Sequence, residues 1–421
     1  MTERIGAVRL KFKVAATPDH PKADAKKFRD SLSAMALADD GRTLFLGGDE
    51  TVEAQPSLER LALESDGGFG GHESRAVSDF ITLPDDKPKK GRIPEIDIEG
   101  LAIDDGFLWL VGSHSAKREK PKTGEDGVAR LAEVEMEENR TVLGRIRLVE
   151  EGGQTRFAEA ASPDDVVASW LHGGKKDESL LAALRRDRHL GPFLQRFKRK
   201  YLGEEEPFVA PAVPGKDNGF DVEGLAVVDG RIFLGLRGPV LRGWAVVLEL
   251  AVEAKKGHPK RLRLLPIGPK TGGKRQLYRK HFLDLGGLGI RDLQNGDESL
   301  LILAGPTMGL DGPVAVFRWS GLPVPEDENH TLTELSKPPT AGALVKVLDL
   351  PYGDGCDHAE ANALLPDEPG AKRRLLVVYD SPCEGERRMP PESETDIYAD
   401  IFELSDSPPP PGRVDAQQNM Q

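Results

Sequence analysis

Cysteine is nearly absent from this chain of 421 residues, which carries only Cys356 and Cys383, so a disulfide framework is excluded and a reducing compartment is implied. Long apolar runs are missing too, and nothing approaches the ~20 residues that span a bilayer. The first residues, Met1 to Lys13, mix charge with isolated apolar positions and lack the apolar core of a signal peptide. The expected location is therefore the cytoplasm, with no membrane partner. Positive charge is outweighed, 57 Lys and Arg against 70 Asp and Glu for a net charge of −13. That balance argues against nucleic acid as a partner over the whole surface. Several catalytic signatures are also lacking. There is no Gly-x-Ser-x-Gly elbow and no His-Glu-x-x-His helix. The string Gly268 to Lys274 has phosphate-loop spacing, but Arg275 replaces the required Ser or Thr and Pro269 removes a backbone donor.

Turn residues are plentiful, with 46 glycines and 32 prolines, against a 38% hydrophobic share. This suits a strand-and-turn chain better than a helical bundle. One pattern returns five times: a short apolar strand, a turn rich in Asp and Gly, and a second apolar strand. The copies are Ser33 to Glu50, Glu99 to Ser115, Glu223 to Pro239, Arg291 to Thr307 and Glu360 to Pro382. Two share the string Asp-Ile/Val-Glu-Gly-Leu-Ala, at Asp97 to Ala102 and Asp221 to Ala226. Further strands are expected after each hairpin: Ser57 to Leu63 and Arg75 to Leu83; Val128 to Met136 and Thr141 to Val149; Trp244 to Val252 and Gln276 to Leu285; Pro313 to Ser320 and Leu344 to Pro351; and Tyr398 to Leu404. Four antiparallel strands per repeat predict an all-β fold, a β-propeller of four-stranded blades, five in number with six as the alternative. Ile5 to Phe12 would supply the last strand and close the ring over residues 1–404, leaving no open edge. Residues 405–421 form a proline-rich, polar tail expected to be disordered. Residues 152–215 predict a helical insertion: Ser162-Pro163 resembles a helix start, and apolar positions follow at Val166, Val167 and Trp170, at Leu180, Leu181 and Leu184, and at Phe193, Leu194, Phe197 and Tyr201.

In a propeller the inner strand starts, the hairpin exits and the connections between blades share one face. That topology would bring Glu99, Glu223 and Glu360 to a mouth together with Asp49, Glu50, His114, Arg237 and Asp380, and would place the insertion over them as a lid. The position of the repeated Glu reads Ser33, Glu99, Glu223, Arg291 and Glu360, with Asp292 as an alternative to Arg291. Converging carboxylates must bind protons, a cation or basic side chains. Hard oxygen ligands suit Ca²⁺ or Mg²⁺; the competing reading neutralises them through Arg291 and nearby lysines.

The string Glu-Gly-Leu-Ala, an Asp-Gly turn and Phe-Leu-Trp-Leu resembles the blades of phytase-like esterase and gluconolactonase-type propellers, and more closely a bacterial propeller family of unassigned function. The resemblance implies a central Ca²⁺ held by Glu99 and Glu223, and more weakly by Glu360, that polarises a hydrolysable substrate. It gives no counterpart for Ser33 and Arg291, which depart from a ligand ring, and Asn362 is the sole Asn ligand it suggests.

Arg118, Arg237 and Arg242 are the expected binders of an anionic small molecule, because a guanidinium fork fits carboxylate or phosphate oxygens. Seven basic residues between Arg185 and Lys200 (Arg185, Arg186, Arg188, Arg196, Lys198, Arg199 and Lys200) add charge to the insertion or form a solvated face. His114 is the candidate proton carrier, since imidazole titrates near neutrality; the bland reading is a loop histidine bonded to backbone. Cys356 and Cys383 fall at one end of the last blade, near Asp357, His358 and Glu384, and are expected as reduced thiols with a disulfide as the alternative. Two functions follow: a phosphoester or lactone hydrolase dependent on a divalent metal, or a non-catalytic propeller that recognises an unidentified protein partner. Fold alone does not choose between them.

Overall fold

The turn chemistry read in the sequence builds the hairpins. Asp105 and Gly106 take φ of 47° and 72°, and Asp229 and Gly230 take 50° and 70°. Two successive left-handed residues form the tight turn whose twist matches the strands it joins. The computed structural model describes residues 4–404 apart from 14–29, 51–54, 90, 125–126, 163, 172–178, 195–196, 200–207, 211, 272, 297–298, 321, 323–329, 337–342 and 384–395. The tail at 405–421 lies outside the described residues.

Twenty of the described strands pair into five four-stranded antiparallel sets, to which further strands such as His258–Leu264 and His330–Thr333 add at the edges. The first is Leu32–Leu37, Thr43–Gly48, Ser57–Leu63 and Phe69–Ala76. The second is Ile98–Asp104, Phe107–Gly112, Leu143–Glu151 and Ala168–Leu171. Asp221–Val228, Arg231–Leu241, Trp244–Lys255 and Arg279–Asp284 form the third. Gly289–Asn295, Ser299–Gly305, Val314–Ser320 and Leu344–Leu350 form the fourth. The last set joins His358–Leu364, Arg374–Asp380 and Ile397–Glu403 to Arg4–Leu10, which runs antiparallel to Ile397–Glu403. The N-terminal strand thus completes the blade formed by the C-terminal strands.

The first strands of the sets touch one another in cyclic order, the fifth returning to the first. The chain is a β-propeller. Its core is divided accordingly, with one apolar cluster in each interface between neighbouring blades. Each sheet buries both faces only against its neighbours, which is why no single blade would be stable alone.

Four expectations are corrected by the pairing. The strand expected at Arg75 to Leu83 is instead Phe69–Ala76, followed by a short 3₁₀ turn at Val77–Asp79. Val128 to Met136 supplies no blade strand; it holds a helical turn at Gly127–Arg130 and a two-residue strand at Val134–Glu135. Ala168–Leu171, expected as helix, is the outer strand of the second blade, with all four residues buried. A short apolar run does not reveal its own period, and here tertiary pairing decides it. Ser162 and Asp165 still close a turn, in which Asp165 accepts from the Ala161 and Ser162 amides at 2.8 and 2.9 Å.

The fourth correction concerns the lid. Leu180–Leu184 is a helix capped by Ser179, whose hydroxyl accepts from the Ala182 amide, and Gly191–Leu194 is a second helical turn. Leu180, Leu181, Leu184 and Leu190 pack into the apolar cluster between the second and third blades. Asp187 accepts from Tyr278 Oη at 2.7 Å and Lys280 Nζ at 2.6 Å, which ties this segment to the outer strand of the third blade. The segment therefore braces the side of two blades. Arg185, Arg186 and Arg188 are exposed, while Tyr201, Arg196 and Lys200 lie outside the described residues.

Cys356 and Cys383, expected as reduced thiols, are joined as a disulfide with their Cα atoms 5.2 Å apart. Cys356 precedes His358–Leu364 and Cys383 follows Arg374–Asp380, so the hairpin brings both to the same end of one blade. Among the described residues no helix is long and apolar enough to cross a membrane.

Candidate functional site

Five backbone irregularities build the site. In every inner strand the register shifts at the position of the repeated residue: around Ser33, Glu99, Glu223, Arg291 and Glu360. A bulge re-aims the side chain of the extra residue. The glycine that follows Glu in two copies has a packing reason. A Cβ on Gly100 would stand 2.6 Å from Leu225 Cβ and 3.0 Å from Leu225 N, and one on Gly224 would stand 3.0 Å from Leu293 N. The Glu-Gly pair thus joins a re-aimed carboxylate to a close approach between inner strands.

Asp292, the alternative to Arg291, accepts from Asn362 N and Nδ2 at 2.8 and 2.9 Å, so Asn362 serves the wall of the ring. Arg291 itself is the cation of the ring. Its Nη1 lies 2.6 and 2.8 Å from the two Glu360 oxygens and 3.3 Å from Glu223 Oε2, and its Nη2 donates to Pro306 O at 3.0 Å. Arg237 covers the other side of Glu223, with Nη1 at 2.5 Å from Oε1 and Nη2 at 2.5 Å from Asp221 Oδ2. Ser33 Oγ donates to Ile98 O at 2.5 Å.

Above this ring opens a cavity of about 400 Å³. Its wall includes Asp49, Glu50, Glu99, Arg118, Glu223, Arg237, Glu360 and Asp380, all of which the topology assigned to one mouth, but not His114. Asp49 and Glu99 differ from their neighbours. Neither has a cation partner among the described residues, and Asp49 Oδ1 is buried with no hydrogen-bond partner. Burial, followed by the nearby charge of Asp97, pushes both carboxyls well above the usual carboxylate range. Burial raises Asp221 to about 6 and also raises Glu223, in spite of the arginines beside them.

The rim is basic. Lys117, Arg118, Lys120, Lys122, Arg130 and Lys216 all line it. Arg118 is held by Asp217 at 2.7 Å and Lys117 lies 3.5 Å from Glu95. Arg130 is paired with Glu119. Lys120, Lys122 and Lys216 are exposed and have no ion-pair partner among the described residues. None of the described residues of the insertion lines the cavity, so its cover comes from the long exit of the second hairpin and from Lys216.

Two expected site residues lie elsewhere. His114 is 2% exposed and outside the cavity wall; its Nδ1 faces Gly112 O at 2.8 Å, and burial lowers its pKa to about 4. A left-handed backbone, φ 54°, turns it inward. Arg242 stands at φ 52° in the exposed turn after Arg231–Leu241, again outside the wall.

Sequence reasoning missed Arg140, whose Nη1 lies 2.6 Å from Asp97 Oδ2 and 3.2 Å from Ser115 Oγ. It also gave no role to Asp97 and Asp221, although the shared hexapeptide contains both. That repetition was the available signal; for Arg140 there was none, since its reach depends on a loop fold.

Glu99, Glu223 and Glu360 do not fit a divalent metal. A guanidinium already bridges Glu223 and Glu360, and among the described residues these carboxylates do not gather three oxygens within 4.8 Å of one another. The group that does so is Cys356, Asp357 and Cys383, where both sulfurs are bonded to each other.

A family model described as protein of unknown function (DUF3616) matches residues 31–400. The chain belongs to that family. No curated protein matches this DUF3616 chain. Solved structures similar to it include a glucose dehydrogenase, at 14% identity and TM-score 0.30 with 89% of this chain and 82% of that one covered. Another is Drosophila Semaphorin 1a, extracellular domains 1-2, at 8% identity and TM-score 0.35 with 88% and 78% covered. A luciferin-regenerating enzyme matches at 11% identity and TM-score 0.28 with 95% of each chain covered. The propeller assignment for this family member rests on the strand pairing above.

Proposed function

We propose that this propeller binds a small polyhydroxylated anion, a sugar phosphate or sugar acid, at its mouth. The observation that supports this reading is the division of the cavity into two layers with unused capacity in each. The anion lies at the rim, near Lys120, Lys122 and Lys216; hydroxyl donors reach down to Asp49 and Glu99. The buried arginines are already committed to Asp221, Glu223 and Glu360, so they serve the frame. Carboxyls that keep their protons are placed to act as general acids, so hydrolysis of an ester or lactone of such an anion would draw a proton from Asp49 or Glu99.

Calorimetric titration with glucose 6-phosphate, 6-phosphogluconate, inorganic phosphate and myo-inositol tests the reading, with phosphate release and lactone opening followed in parallel. The sugar phosphate or sugar acid should bind more tightly than phosphate or inositol. Glu99→Ala, Asp49→Ala and the Lys120→Glu/Lys122→Glu/Lys216→Glu triple variant should each weaken binding by about tenfold, as expected for losing a hydrogen-bond partner in the first two and the rim cations in the third. No binding by any of the four probes, or binding that these variants leave unchanged, refutes it.

A further inference from the structure

The ring at the propeller axis carries three carboxylates, one hydroxyl and one guanidinium, all on equivalent bulges. In the fourth blade the repeat supplies Arg291 where three other blades supply Glu. Arg291 is 8% exposed, and its guanidinium reaches both oxygens of Glu360 while touching Glu223. A guanidinium is always charged, and here one nitrogen, Nη1, faces both oxygens of the carboxylate. Pro306 O takes another of its donors, which fixes the group in place.

We propose that Arg291 is the built-in axis cation of this propeller, occupying the place of a divalent metal, and that its removal turns Glu223 and Glu360 into ligands for one. The reasoning is electrostatic. Asp221, Glu223 and Glu360 carry up to three negative charges, and Arg237 and Arg291 supply two positive ones by direct contact. Without Arg291 the remaining guanidinium serves Asp221 and Glu223, and Glu360 is left buried with no cation. Buried carboxylates in that position take up protons or a cation. Their hard oxygen atoms favour Ca²⁺ or Mn²⁺. The inference rests on the ring alone and uses no property of the mouth ligand.

The test is Mn²⁺ binding, followed by electron paramagnetic resonance and elemental analysis, with thermal unfolding in millimolar Ca²⁺ as a second readout. Wild-type protein and Arg291→Lys should bind no stoichiometric Mn²⁺ at the axis and should melt at the same temperature with or without Ca²⁺. Arg291→Ser copies the side chain that the first blade carries at this position. It should bind one equivalent of Mn²⁺ and gain thermal stability with Ca²⁺, and both effects should vanish in Arg291→Ser/Glu360→Gln. A folded Arg291→Ser that binds no Mn²⁺ overturns the proposal, as does a wild-type protein whose bound equivalent is lost in Glu360→Gln. Should Arg291→Ser fail to fold without metal, refolding in Ca²⁺ or Mn²⁺ supports the proposal, and a chain that stays unfolded in both overturns it.

Discussion

Asp221 provides the sharpest test of the electrostatics at the axis. It is 2% exposed, Arg237 lies 2.5 Å away, and burial nevertheless raises its pKa from 3.8 to about 6. In the unfolded chain the carboxyl ionises near its ordinary value. Between the two values the folded state holds the proton more often than the unfolded one, so stability falls as pH rises through this window and is level above it. At about 1.4 kcal/mol per pH unit, a carboxyl raised from 3.8 to about 6 loses about 3 kcal/mol of stability. Asp221→Asn cannot ionise and lacks this slope. The variant also loses contacts with Arg237, but a protonated Asp221 loses the ion pair as well. The pH-dependent part of the difference is therefore the informative quantity. Urea unfolding followed by tryptophan fluorescence, at about pH 4 and about pH 8, should show the variant gaining about 2.4 kcal/mol on the wild type as pH rises, since at pH 4 the unfolded carboxyl is already more than half ionised. A difference that stays constant, or that moves in favour of the wild type, would refute the assigned ionisation.

Two further outcomes concern the frame. Gly224→Ala places a methyl group 3.0 Å from the Leu293 amide, on a neighbouring backbone with no room to retreat, and should destabilise by about 1–3 kcal/mol in chemical unfolding. Gly6→Ala, whose added carbon meets only Ile401 Cδ1 at 3.7 Å, is the matched control and should change stability little. The Cys356–Cys383 bond closes a loop with a sequence separation of 27, so the Cys356→Ser/Cys383→Ser variant should lose about 3–4 kcal/mol under non-reducing conditions. Equal unfolding midpoints for that variant and the wild type would remove the bond from the stability of the last blade.

The repeat, its hairpin turns and its inward-facing position were legible in the sequence because each is local. Asp105-Gly106 and Asp229-Gly230 define their turns by their own backbone preferences. The repeated Glu position could be followed through Ser33 and Arg291 because the pattern around it survives the change of side chain. Strand Ala168–Leu171 was not legible, since four buried residues carry no period that separates strand from helix. Neither was the brace formed by Leu180–Leu184, whose apolar face fits the side of two blades as well as it would a mouth.

What the sequence determined by itself was therefore the order of elements and the set of charges delivered to one end of the propeller. Tertiary structure decided which charges meet. Arg237 meets Asp221 within its own hairpin, but Arg291 and Glu360 stand on different blades, and it is the packing of those blades around the ring that puts the guanidinium on the carboxylate. It left Asp49 and Glu99 without an ion-pair partner among the described residues and His114 buried outside the cavity wall. An ion pair depends on the distance between two side chains, and for residues on different blades only the closed ring sets that distance.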